Sequence, residues 1–566
     1  MTRFDLPREK KKGHLTLLRQ PRSITAREFN ALTLAERLDM VRAAPSRQKY
    51  DLILEANEPE VLIRRLSVQE LYLMIKELGP EDVPELFSMV NTDQFTTFID
   101  LDCWQQDLFD APAALRWMTL LMDAGEEKVL ETADEFDFEL LVLLFKKLIT
   151  ITRGPEDVED DEEMAELMHR SGGYEIECRD PEQAKTVFAF LDILFRRHHP
   201  LYMRLIAAVR WEHETALEEE VYRFRIGRLQ DRGFPDPFEA QAIYAWMDPG
   251  EFDPRQHRKL PMESGEEGVE APGFVLSAAR PRDLLAEVLA AGIDHETAWE
   301  LTFILNKVMV ADRVDIGEAY QVHGSMEEVY RYLNIALEHL SDGDSATAAD
   351  LMEGVYLQTL FRLGFSLTLV LQRRAWKMRD SKIAPYLDGP FRALIDALGR
   401  KKPQFYEGMD AENRGGERSF ANLHDIRLAE DWLDRLEVQQ RLFELRFPFE
   451  LPAVADLNLD GCVPDDPEDL ALSDFFLTAL ANRILGRAFI PRPVVGEELP
   501  ALHAKVSSEG KVSEELRLET RHWLNSLEPG AGAFGDYCLD LWEEEFCRLK
   551  PEEIEPRFVS GMIVKL

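Results

Sequence analysis

The sequence predicts an all-α fold: an N-terminal solenoid-like array of short helices, a small β-hairpin excursion, and a larger C-terminal helical domain. Three observations carry this prediction. Segments Ser67–Gly79, Pro80–Asn91 and Thr92–Trp104 repeat one apolar spacing at a step of about a dozen residues. Residues 276–566 hold long apolar-periodic segments separated by Pro and Gly. Neither a βαβ alternation nor a run of strands is legible anywhere.

The three repeated segments place Leu71/Met74/Ile75, Val83/Leu86/Phe87 and Phe95/Phe98/Ile99 on i, i+3, i+4 stripes. Each opens on a helix-start signal: Ser67 with Glu70, Pro80 with Glu81 and Asp82, Thr92 with Asp93. Helices this short shelter an apolar stripe only by stacking on their neighbours. The pattern extends upstream through Tyr50/Ile53/Leu54 and downstream through 115–123 and 138–147.

Five divisions follow: a basic flexible arm (1–30), a helical repeat (superhelical) domain (31–150), a β-hairpin with a helical middle domain (151–250), a linker or long loop (251–275), and a C-terminal helical domain (276–566). The hairpin is expected from Ile149–Arg153 and Tyr174–Cys178, with an acidic run at 156–163 between them. A helix is expected from a Thr215/Glu218 capping box to Gly233, with Pro235 beyond. Two faces of it, Leu217/Val221/Phe224 and Tyr222/Ile226/Leu229, are expected to be buried, and Glu219 can pair with Arg223. Further helices are expected over 281–291, 296–310, 326–340, 346–374, 426–445, 470–485, 514–527 and 536–549.

The 566 residues carry 66 Lys and Arg against 106 Asp and Glu, a net charge of −40. Phosphate binding draws on clustered positive charge, so nucleic acid and anionic lipid are poor partners for this chain. The five cysteines are scattered without a CxxC pair, which fits free thiols in a reducing cytoplasm. The basic N-terminus lacks the apolar stretch of a secretory signal. No apolar run reaches the length of a membrane span; the longest, 357–371, is interrupted by Arg362.

Candidate chemistry is sparse. Gly530-Ala-Gly-Ala-Phe-Gly535 matches GxGxxG, but an expected helix and Pro529 precede it, so a helix–helix turn is the better reading than a dinucleotide loop. Asp456, Asn458, Asp460 and Gly461 imitate the start of a calcium loop, but Pro467 stands where a bidentate Glu is required. His198, His199 and His213 lack the i, i+3 or i+4 spacing of metal ligands. No catalytic constellation, cofactor site or metal site is assigned. Trp104, Trp117, Trp246, Trp299, Trp376, Trp432 and Trp523 read as core. One stripe stands out: Arg225, Arg228 and Arg232 at i, i+3, i+7, with Trp211, Glu212, Glu219 and Tyr222 nearby. It either holds an anionic ligand or pairs internally with acids.

Two resemblances accompany these patterns. Ser67–Trp104, within 46–150, resembles the helical cytoplasmic N domain of MgtE-type bacterial magnesium transporters. The carrier is Ile75-Lys-Glu-Leu-Gly-Pro-Glu-Asp82, similar to the L-x-x-x-L-P-P-E phrasing of that family. The resemblance implies a superhelical fold and an acidic surface, not magnesium transport. Residues 134–147, 211–237, 361–371 and 472–486 resemble an uncharacterised bacterial family, a domain of unknown function, over nearly the full length. It implies no activity, ligand or catalytic residue.

The expected function is a cytoplasmic interaction or scaffold protein that binds a protein or peptide partner. The alternatives are an enzyme or anion sensor with a pocket near 211–232, and a divalent-cation-responsive regulator.

Overall fold

The computed structural model describes residues 3–6, 22–105, 107–153, 174–259, 280, 282–410, 415–550 and 554–566. Most of the basic arm, the acidic run 156–163 and most of the 251–275 linker lie outside the described residues. By contact the chain forms two compact units, Met1–Ala245 with Asp253–Arg362, and Trp246–Phe252 with Leu363–Leu566. One division falls within a helix, Leu357–Arg379, and the other two bound the irregular segment Trp246–Phe252. The fold is all-α with small β excursions.

The first unit opens on a two-stranded antiparallel ribbon, β1 (Arg3–Leu6) with β2 (Arg22–Thr25). Helices α1 (Ala26–Asn30) and α2 (Leu34–Ala43) start on reciprocal caps, Thr25 with Glu28 and Thr33 with Glu36. Short helices α3 (Ser46–Leu54) and α4 (Pro59–Arg65) follow. The repeated segments fold as three separate helices. In α5 (Val68–Leu78) Ser67 caps the amide of Glu70, and the helix ends at Gly79, whose φ of +96° disfavours a side chain. A 3₁₀ turn leads into α6 (Pro84–Met89), and α7 (Thr92–Asp102) comes next. The cap of α7 is Asn91, reciprocated by Gln94, one residue before the Thr92 start signal. Leu71, Ile75, Val83, Leu86, Phe87, Phe95, Phe98 and Ile99 are all buried. Each such side chain contributes roughly 1.5–3 kcal/mol of transfer free energy.

A minimal ribbon, β3 (Trp104–Gln105) with β4 (Leu108–Phe109), leads to α8 (Ala111–Asp123), α9 (Glu126–Glu135) and α10 (Phe138–Leu148). The expected hairpin forms: β5 (Ile149–Arg153) pairs antiparallel with β6 (Glu175–Cys178), Ile149 opposite Cys178. Helices α11 (Ala184–Arg197), α12 (His199–Trp211) and α13 (Glu214–Asp231) follow. Helix α13 ends as its sequence predicts: Gly233 has φ +80°, its amide bonds to Gln230, and the Phe234 amide reaches back to Leu229. The expected capping box at its start is absent. The helix begins at Glu214, and the Glu218 carboxylate accepts from the amide of Phe109 and pairs with Lys147.

After α14 (Pro237–Gln241) come α15 (Leu284–Ala291), α16 (His295–Asp312), α17 (Ala319–Ser341), α18 (Ser345–Gly354) and α19 (Leu357–Arg379). The single run expected over 346–374 is broken at Val355–Tyr356. There the chain at 257–259 bonds to the backbone of Gly354 and Tyr356, replacing helical hydrogen bonds. The buried Glu300 carboxylate then caps α19 at the Leu357 amide, 2.7 Å away.

The second unit contains α20 (Gly389–Leu398), the ribbon β7 (Gln404–Tyr406) with β8 (Glu417–Ser419), and α21 (Leu423–Arg441). Beyond them lie β9 (Cys462–Val463), α22 (Leu472–Ile484), β10 (Val494–Val495), α23 (Leu499–Val506), β11 (Ser507–Ser508) and β12 (Lys511–Val512). Helices α24 (Glu514–Leu527) and α25 (Gly532–Trp542) and strand β13 (Val564–Lys565) complete it. Strand β13 lies between β10 and β9. Helix α22 is buried along most of its length, against Phe447, Phe489 and Phe534.

The GxGxxG stretch makes the turn after α24 and the first turn of α25. A Cβ on Gly535 would stand 2.6 Å from Leu524 Cδ1, so these glycines permit close helix contact. The calcium-like stretch is an Asx turn, with the Asp460 amide bonded to Asn458 Oδ1. Trp104 and Trp117 are core residues, but Trp299 and Trp376 are 57% and 47% exposed.

Asp388 stands at the start of α20 and is 3% exposed. Its Oδ1 accepts from Ser473 Oγ at 2.5 Å, and its Oδ2 has no hydrogen-bond partner among the described residues. Burial pushes its carboxyl up to about 7, and that of nearby Asp474 to about 6. Unfolded aspartates titrate near ~3.9, so folding favours the protonated acid. The resulting stabilisation is complete below about pH 4 and is lost as the pH rises through about 7. The unfolding free energy of the second unit, read from denaturant titrations, should therefore fall between about pH 5 and 8 by on the order of 2–4 kcal/mol. Asp388→Asn should flatten most of that slope and be the more stable form at about pH 8. A native midpoint that does not change with pH contradicts this.

Candidate functional site

The arginine stripe lies on α13 and, with Arg232, at its C-terminal cap, beside α7 in the first unit. Arg228 grips Asp100 with both arms of its guanidinium: Nε to Oδ2 at 2.7 Å and Nη2 to Oδ1 at 2.9 Å. Its Nη1 takes Asp137, the residue that caps α10 at the Leu140 amide. Arg225 donates from Nε to the Asp100 carbonyl at 2.8 Å. Arg232 reaches Asp93, with Nη2 to Oδ2 at 2.5 Å. The order is antiparallel. Seven residues separate Arg225 from Arg232, and seven separate Asp100 from Asp93, so the two helices match charges over ~10 Å.

Burial sets the electrostatics. Asp100 is fully buried, and desolvation pushes its carboxyl up while Arg228 and Arg225 hold it down. Desolvation lowers the Arg225 guanidinium, and Asp100 opposes this. The Arg225 guanidinium also sits 5.2 Å from the Trp104 ring centre and 5.9 Å from that of Tyr222. The Trp104 and Tyr222 rings are 5.7 Å apart.

The other residues of the sequence-derived set lie apart from this network. Glu219 pairs with Arg223 across one helical turn at 3.6 Å, both exposed. Trp211 is 66% exposed, with the Arg210 guanidinium 4.9 Å from its ring centre. Glu212 and His213 are exposed at the α12–α13 junction. Phe224, expected to be buried, is 48% exposed. Helix α13 buries only Leu217 and Val221 fully and is held besides by ion pairs, the Arg225 bond to the Asp100 carbonyl and the Tyr222–Trp104 ring contact. His198 is structural: its Nδ1 accepts from the Leu201 amide, and its Nε2 is 2.7 Å from Asp134. Among the described residues no group of three His, Cys, Asp or Glu is placed to hold a metal ion. No described helix is long and apolar enough to cross a membrane.

Sequence reasoning takes Asp93 only as part of a helix start and passes over Asp100 and Asp137. It also passes over Asp102, whose Oδ1 accepts from Tyr72 Oη at 2.9 Å and Lys76 Nζ at 2.8 Å, and whose Oδ2 accepts from Trp117 Nε1 at 2.7 Å. Burial and this carboxylate push the Tyr72 hydroxyl up, so it stays a donor. The available signal was the stretch Ile99-Asp-Leu-Asp-Cys-Trp104, where two acids sit among apolar residues. Acids in such a setting need cations.

Removing one partner of a buried ion pair strands the other charge. Asp100→Ala should cost about 3–5 kcal/mol, and Asp100→Asn less, because the amide still accepts from one arm of Arg228. Equilibrium denaturation of the full chain checks this. A loss below about 1 kcal/mol for Asp100→Ala would place the pair outside the stabilising core.

No curated protein and no solved structure matches the chain. The comparisons do not show a similarity of residues 46–150 to MgtE-type transporters. A family model matches residues 26–565, and by this near-complete match the chain belongs to the family of unknown function DUF6178.

Proposed function

We propose that this protein is a cytoplasmic interaction protein, a helical scaffold that binds a protein or peptide partner. One observation carries the reading. The arginines of α13, the most distinctive ligand-binding candidates in the sequence, spend their charge on Asp93, Asp100 and Asp137. On α12 and α13 it is instead the aromatic rings of Trp211 and Phe224 that face outward. Large exposed rings beside charged groups are the composition of protein-contact surfaces. The succession of short helices α1–α10 adds support, because stacked short helices build extended surfaces.

An anion-sensing or catalytic pocket at 211–232 lacks comparable support, since each guanidinium of the stripe already has an oxygen partner. A divalent-cation response would rest on the acidic run at 156–163, which lies outside the described residues.

Capture of the full chain from its native cell extract tests the proposal. The native protein should retain a stoichiometric protein partner. A Trp211→Ala/Phe224→Ala variant with unchanged far-ultraviolet circular dichroism should retain at least about fivefold less, the loss expected when two contact rings are removed. A native chain that emerges alone, or with a small molecule in place of a protein, contradicts the proposal.

A further inference from the structure

A cavity of about 400 Å³ lies within the first unit, between α16 and the start of α19. Glu296, Trp299, Glu300 and Phe303 form one helical stripe of its wall, and Tyr356 and Gln358 face them. The volume is in the range of small-molecule sites. Its aromatic side chains are unusually open: Trp299 is 57% and Tyr356 is 40% exposed. Trp299 stacks on Phe303 with ring centres 5.4 Å apart and planes 10° from parallel.

The charges around the cavity decide what it accepts. Glu300 is spoken for. Its Oε2 takes the Leu357 amide, and its Oε1 lies 2.8 Å from Lys259 Nζ. Both nearby lysines are spoken for as well. Lys259 also bonds to Thr297 Oγ1 and the Met352 carbonyl. Lys307, 2% exposed, bonds to Gln358 Oε1 and Glu239, with its Nζ 5.6 Å from the Phe303 ring centre. Glu296 forms no ion pair among the described residues. The Trp299 ring has no cation over it there, whereas Phe303 has Lys307. An uncommitted carboxylate one helical turn from an open indole face attracts cations and repels anions. One free carboxylate is too few for a metal ion.

The geometry points to a binding site for a methylated ammonium group, held over Trp299 and Tyr356 with Glu296 as its counter-charge. Methylated ammonium is the class that suits aromatic walls, because it is a cation with an apolar shell. Free choline-like molecules and trimethyllysine side chains carry the same head group.

Calorimetric titration of the full chain separates the possibilities. Choline and a trimethyllysine peptide are compared with 3,3-dimethylbutan-1-ol, the neutral carbon isostere of choline, and with the same peptide bearing unmodified lysine. Saturable binding of choline or of the methylated peptide is expected, at least about tenfold tighter than its control. The tighter of the two identifies the source of the head group. Trp299→Ala and Glu296→Gln should each weaken binding by at least about fivefold, and because both residues are surface-accessible the folds should persist. No saturable binding of either cation, equal binding of the neutral isostere, or affinity that neither substitution changes would overturn the assignment.

Discussion

A carboxylate that no water reaches must find its cations inside the protein, and helix α7 carries such a group at Asp100. Taking an ion out of water costs several kcal/mol, which only short, well-aligned hydrogen bonds recover. Arg228 supplies two of them, and Arg225 secures the same residue through its carbonyl. Two residues on, Asp102 ends the helix where the macrodipole is itself negative, an unfavourable place for an acid. Three donors from α5 and α8 compensate: Tyr72, Lys76 and Trp117. The last turn of α7 therefore fixes the position of α5, α8 and α13 at once. Asp137 extends the network to the start of α10. Apolar burial supplies most of the drive to fold, and the paired charges choose the arrangement.

The second unit solves a related problem differently. Asp388 has a hydroxyl partner in Ser473 and no cation on its carboxylate among the described residues. Its neighbours Asp474, Tyr537 and Cys538 are themselves acidic groups, buried or partly so. With no counter-charge, the acid keeps its proton more readily, and stability becomes dependent on pH. Arginine and lysine neutralise Asp100 and Asp102 in the first unit, and Arg418 does the same for the buried Asp425 in the second, whereas Asp388 relies on a proton.

Much of the architecture was legible in the sequence because its cues are local. The caps at Ser67 and Gly233, the short stripes of α5 to α7, and the alternating ends of the hairpin each involve residues within one or two turns of one another. What could not be read depends on partners distant in sequence. The Arg225–Arg232 stripe was visible, but its partners lie more than ninety residues upstream, and no local rule selects Asp100 over other acids. Glu218 looked like a capping residue but was drawn to Lys147 and the Phe109 amide. The break at Val355 depends on a crossing segment at 257–259. Phe224 and Trp299 fit helical stripes by spacing, yet face outward, because spacing sets a face without saying what covers it.

Native-state hydrogen exchange tests most directly whether α7 organises the first unit. Amides of residues 96–102 should be among the slowest of that unit, exchanging only when the whole unit opens. In Asp100→Asn, protection should fall together in α7 and α13, because the two helices share one network. Fast local exchange across α7 in the native chain, with α13 still protected, would contradict the account.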